Sequence, residues 1–140
     1  MNPYAKKSLI AIGVYLCILL FITLVSMRSS IEVMPEDCAI DSQNCAHIEL
    51  ELNVSNEELH QAMEEWQSSR IFTSSFEEGH IVDRTLFMQF PDDILYENNC
   101  GTIEIHSQSR LGKSDFGVNK ERIDLIEEFL EDYDWQTTCQ

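Results

Sequence analysis

The sequence predicts an α+β protein in which one N-terminal transmembrane helix is followed by a small antiparallel sheet of about four strands with two helices packed on it. Three observations lead there. An uncharged apolar run lies near the N-terminus, two later stretches carry apolar residues at helical spacing, and between those stretches lie short β-type runs separated by turn signals. With 140 residues, 44% of them apolar, the chain holds one domain's worth of core-forming material.

The apolar run reaches from Leu9 to Val25 without a charge. As a helix, residues 8–27 extend about 30 Å, the hydrocarbon thickness of a bilayer. The run is longer than the roughly 7–15 residues usual in a signal peptide. Leu24-Val25-Ser26 is also a poor small-x-small cleavage site because Leu24 is bulky. A retained signal-anchor is therefore expected over 8–27. Lys6 and Lys7 before the run outweigh Arg28 after it, which puts the N-terminus in the cytoplasm. The expected organisation is a cytoplasmic stub (1–7), the span (8–27), a linker (28–37), an extracytoplasmic domain (38–135) and a tail (136–140). The location that follows is the cell inner membrane, single-pass, with the domain periplasmic or otherwise extracytoplasmic.

Charge divides along the same lines. No acidic residue precedes Glu32, and from Arg28 onward seven basic residues stand against all 25 acidic ones, a balance of −18. Such an excess of carboxylates excludes a general binder of phosphate backbones, so nucleic acid is not an expected partner. Cys17, inside the apolar run, reads as an apolar filler. Cys38, Cys45, Cys100 and Cys139 are an even set in the exported part and read as two disulfides, for which three connectivities exist. The preferred pairing is Cys38 with Cys45, closing a small loop at the start of the domain, and Cys100 with Cys139, tying the tail to the sheet. Zinc is the competing reading, but the set has no CxxC and the chain no HxxxH spacing, so neither metal nor cofactor is expected.

Residues 28–54 show no sustained periodicity and read as an irregular lead-in. A helix starts at Ser55-Asn56-Glu57-Glu58, a capping box with Ser55 as N-cap, Glu58 three residues on, and Val54 and Leu59 placed as a hydrophobic staple. Leu59, Ala62, Met63 and Trp66 then form its apolar stripe. Ile71–Phe76 and Ile81–Phe90, joined by a turn at Glu77-Glu78-Gly79, read as a hairpin. Pro91-Asp92-Asp93 reads as a break, Ile94–Glu97 as a short strand, Asn98–Gly101 as a turn, and Thr102–Ser107 as a strand with Ile103 and Ile105 inward. A polar loop over 108–117 leads to a last helix from about Val118 to Tyr133, whose acidic final turn predicts fraying.

The segment Phe90-Pro91-Asp92-Asp93-Ile94, and the run from Ile103 to Ile123 centred on Ser109-Arg110-Leu111-Gly112-Lys113-Ser114-Asp115-Phe116-Gly117-Val118-Asn119, resemble the DUF1499 family. Cys38 and Asn44-Cys45 resemble its opening Cys and Asn-Cys pair. The resemblance covers roughly residues 38 to 130 and implies an exported or membrane-associated domain of a family without an established function. Members commonly carry Arg where this chain has His106 and Lys120. A bidentate anion contact at either place is weaker here, because imidazole is mostly neutral at pH 7 and Lys lacks the planar fork.

The motif has two readings. As a polar latch, Asp92 and Asp93 cap a turn, Arg110 and Arg122 pair with Asp93 and Asp115, and Gly112 and Gly117 permit positive φ. As a binding site, Ser107, Ser109, Arg110, Ser114, Asp115 and Asn119 lie on a rigidly held loop, with an anion at the start of the last helix against Arg110 and the amides near Gly117 and Val118. The expected function is a non-catalytic binding or interaction module of the cell envelope, taking a small anionic ligand or an envelope protein. The alternative is a hydrolase-like enzyme with Asp92 or Asp93 as base and Arg110 stabilising negative charge. Consecutive residues on an extended chain point to opposite faces, and no GxSxG elbow is present, which weigh against it.

Overall fold

A computed structural model describes residues 2–139; Met1 and Gln140, the ends of the expected stub and tail, lie outside it. The element order is α1 (Pro3–Ser26), β1 (Cys45–Leu50), α2 (Asn56–Ser68), β2 (Ser75–Glu77), β3 (His80–Arg84), β4 (Pro91–Asn98), β5 (Ile103–Ser109) and α3 (Val118–Asp132). The strands make one antiparallel sheet in the order β1-β5-β4-β3-β2.

α1 is long and apolar enough to cross a membrane. Most of its side chains are exposed, but Ile22 and Ser26 are buried and Leu19 is half-buried. With Tyr15 these lie at i, i+4, i+7 and i+11, one stripe of the helix. The Tyr15 hydroxyl donates to the carbonyl of Phe87 at 2.5 Å, so this stripe meets the domain.

α2 and α3 cover one face of the sheet. Leu59, Ala62, Met63 and Trp66 from α2 and Ile123, Ile126 and Leu130 from α3 close over Ile81, Ile94, Tyr96, Ile103 and Ile105. Burying each large aliphatic side chain contributes about 1.5–3 kcal/mol. On the other face, the backbone amide of Ile31 donates to Asp93 and the Cys38–Cys45 disulfide joins β1, so the lead-in segment lies across it. The second disulfide, Cys100–Cys139, fastens the C-terminal tail to the β4–β5 turn.

The structure changes several boundaries. The sheet has a fifth strand, because β1 lies in the segment read as irregular. Of the expected strand Ile71–Phe76, only Ser75 and Phe76 enter β2. β3 stops at Arg84, since Thr85 Oγ1 accepts from the amide of Phe90 and turns the chain. Pro91-Asp92-Asp93 opens β4 instead of breaking the sheet. Pro is tolerated as the first residue of a strand, and both carboxylates meet arginines. β5 runs on to Ser109, two residues into the expected loop. At α2, Ser55 Oγ accepts from the Glu58 amide, but the Glu58 carboxylate takes the amides of Gln136 and Thr137 in the tail, so only half of the capping box forms. α3 ends at Asp132, with Tyr133 as an extended C-cap.

Candidate functional site

β4 carries Asp92 and Asp93 at consecutive positions of an extended strand, so their carboxylates leave the sheet on opposite faces. Each seeds a buried polar cluster. On the helix-covered face, Asp92 sits between Asp83 of β3 and Ser109 of β5 in the cross-strand register. Arg122, buried in the first turns of α3, reaches into this row. Its Nη2 donates to Asp92 Oδ2 at 2.8 Å, its Nε to Asp83 Oδ2 at 3.2 Å, and its Nη1 to Asn119 Oδ1 at 2.7 Å and Ser107 Oγ at 3.2 Å. Arg70, stacked on the ring of Trp66, adds a second guanidinium to Asp83 at 2.9 Å. Burial pushes the Asp92 carboxyl above its ordinary range, and Arg122 offsets this only in part.

On the opposite face, burial works to raise Asp93 as well, but its partners win. His80 at 2.7 Å, the two-pronged Arg110 at 2.6 and 2.8 Å, and the Ile31 amide at 3.1 Å together hold it below the ordinary range. Beside them His106 is fully buried across from His47. Gln108 Oε1 accepts at 3.1 Å from His106 Nε2, which leaves Nδ1 to accept from His47 Nδ1 at 3.3 Å. Burial lowers the His106 pKa, so the ring is neutral at pH 7. His106 also lies near Cys38 and Cys45 in a cluster of potential metal donors, but those two sulfurs are bonded to each other.

Asp115 does not pair with Arg122. It caps α3: its carboxylate accepts from the amides of Gly117 and Asn119, each at 2.8 Å, while its carbonyl accepts from Val118 at 3.3 Å. The amides that an external anion needs at this helix end are therefore taken, and Arg110 lies on the far side of the sheet with Asp93. Asn119 Nδ2 donates to Asp115 Oδ2, Ser109 Oγ and the carbonyl of Asn44. Asn44 in turn holds the motif loop through the carbonyl of Gly112 at 2.7 Å. Gly117, with φ of 86°, makes the left-handed turn into α3. Ser114 stays exposed on the loop and forms a bridge with Gln43. Lys120 faces solvent and pairs with Asp124.

The sequence motifs sit in this geometry, and so does the region matched by a family profile. The profile, for a "Protein of unknown function (DUF1499)", matches residues 25–130. The chain belongs to the DUF1499 family. No curated protein and no solved structure matches it.

In this DUF1499 domain the motif thus forms two internal clusters. Arg122, Asn119, Ser107, Ser109 and Asp92 lie above the sheet and Arg110 with Asp93 below it. Asp92 and Asp93 cannot converge on one substrate atom, and the two carboxylates offer no acid–base pair. Sequence reasoning missed Asp83, Arg70, His80 and Asn44 as members. Asn44 had the one available signal, its place in the opening Asn-Cys pair. The outward edge of the motif is different in character: Ser109, Ser114 and Asp115 border an apolar groove of about 350 Å³ against residues 85–90.

Proposed function

We propose that the protein is a single-pass membrane-anchored module that works by binding, without catalysis, in the cell envelope. The observation that supports this most is the use made of the motif. Asp92, Asp93, Arg110 and Arg122 are held in buried ion pairs, while the motif's rim borders an apolar groove next to the helix that can span the membrane. Buried charges held by one another position a surface, and Asp92 and Asp93, on opposite faces of the sheet, do not form an acid–base pair.

The anchor reading draws on Lys6 and Lys7 before α1, on the poor cleavage site, and on the burial of Ile22 and Ser26, which a cleaved leader would forfeit. The N-terminus lies in the cytoplasm of a cell with the span in its inner membrane, and the two disulfides belong to an oxidising compartment on the other side. A reporter active only outside the cytoplasm, fused after Gln140, gives activity with the chain retained in membranes after alkaline extraction. Activity of a cytoplasm-only reporter at the same position, or release of a chain lacking residues 1–27, overturns the reading.

A further inference from the structure

The turn Thr85–Phe90 is the most apolar exposed segment outside α1. Leu86, Phe87 and Met88 project from it, and Phe116 on the motif loop opposite is 99% exposed in a left-handed backbone conformation with φ of 58°. A large aromatic held outward in that conformation gains nothing in water. We infer that this turn and the motif loop form a foot that enters the bilayer as far as about its mid-plane, and that the groove between them seats an acyl chain of a bilayer phospholipid. The inference rests on the anchor reading above and adds a ligand class and a depth to it.

Depth comes from the hydrogen bond between Tyr15 and the carbonyl of Phe87. Tyr15 lies eleven residues before Ser26, about 16 Å along the helix. If α1 spans, the Phe87 turn cannot remain in water. The contact also solves two problems at once, giving an acceptor to a hydroxyl in the middle of an apolar span and a donor to a carbonyl that its own turn does not satisfy.

Several of the turn's other polar groups are met within it. Gln89 Nε2 donates to the carbonyls of Thr85 and Leu86, Arg84 donates to the carbonyl of Gln89, the Thr85 amide donates to the carbonyl of Phe90, and Thr85 Oγ1 takes the amide of Phe90. Each of these pairings lowers the cost of placing this backbone in hydrocarbon. In a chain with 25 acidic residues, the segments 84–91 and 105–114 contain none, and Asp115 is the one carboxylate bordering the groove. The groove's volume of about 350 Å³ and its lining, which includes Phe90, Leu111 and Val118, fit an apolar ligand of modest size.

The test reconstitutes the full chain into phosphatidylcholine vesicles doped with a phosphatidylcholine that carries a diazirine along one acyl chain, followed by irradiation and mapping of labelled residues. The expected result is label on α1, on the exposed turn, and on Leu111 and Val118 inside the groove. In the double variant Phe87→Asp/Phe116→Asp the groove label falls at least tenfold with α1 label unchanged. Both positions are exposed, and Asp accepts a left-handed backbone better than Phe, so this variant folds. Label on α1 alone, or label spread equally to Leu125 on the exposed side of α3, overturns the foot and leaves the anchor standing. Absence of label from α1 as well removes the anchor reading, and the inference with it.

Discussion

At the scale of single residues, Arg122 is the group on which the latch depends. Its guanidinium faces two carboxylates, a hydroxyl and an amide oxygen drawn from β3, β4, β5 and α3, and all of them are buried. Removing one partner of a buried ion pair leaves an uncompensated charge and costs about 3–5 kcal/mol. Arg122→Ala therefore lowers the stability of the full chain in detergent by that amount, and Arg122→Lys recovers little of it because one ammonium cannot span four acceptors. Arg110→Ala costs about 1.5–3 kcal/mol, since Asp93 keeps His80 and the Ile31 amide. Lys120→Ala, an exposed i,i+4 pair, stays within about 0.5 kcal/mol. Thermal unfolding of the four variants checks the order. Equal effects at Arg122 and Lys120 would remove the distinction between latch and surface.

At the scale of elements, the two faces of the β4–β5 pair answer acid with opposite signs. His106 on the back face has a pKa depressed by burial, so its neutral ring favours the fold above its ordinary value of 6.5, and this is lost as pH falls through the lowered value. Asp93 on the same face is also depressed, so its contribution holds above the ordinary 3.8 and fails only in stronger acid. Asp92 on the helix face is raised; its contribution is present below 3.8 and is lost as pH rises through the raised value. As pH falls from 7 to 5 the His106 contribution is thus being lost, while protonation of Asp92 acts in the opposite sense. Stability falls over that interval, and falls less in His106→Gln; parallel profiles would show that the ring does not titrate there. How much of this was legible follows from where each signal resides. α2 and α3 were readable because their apolar stripes are local. β4 was misread at Pro91-Asp92-Asp93 because what makes those carboxylates compatible with a strand, Arg110 and Arg122, lies 17 and 30 residues away. Leu86, Met88 and Phe90 alternate like a strand but belong to a turn beside α1, and β1 mixes Cys, Ala and His in a strand paired on one side only. The motif residues were found by resemblance, whereas Asp83 and Arg70 had no local signature because their partnership exists only across the sheet.

For the whole molecule, the sequence-wide charge separates into a cationic N-terminal segment, a neutral helix and an acidic domain, and the Thr85–Phe90 turn, which holds no acid, lies where that helix meets the domain. On the anchor reading proposed above, the acidic residues elsewhere repel anionic headgroups and the apolar end is the part that meets the membrane. The central claim is that this domain folds outside the cytoplasm with its tail and its lead-in segment covalently fastened. Counting reactive thiols tests it most directly: the chain is alkylated in living cells under acid-quenched, denaturing conditions, before and after reduction. The expected result is one alkylated cysteine without reduction, Cys17, and all five after it. Five alkylated cysteines before reduction would contradict it.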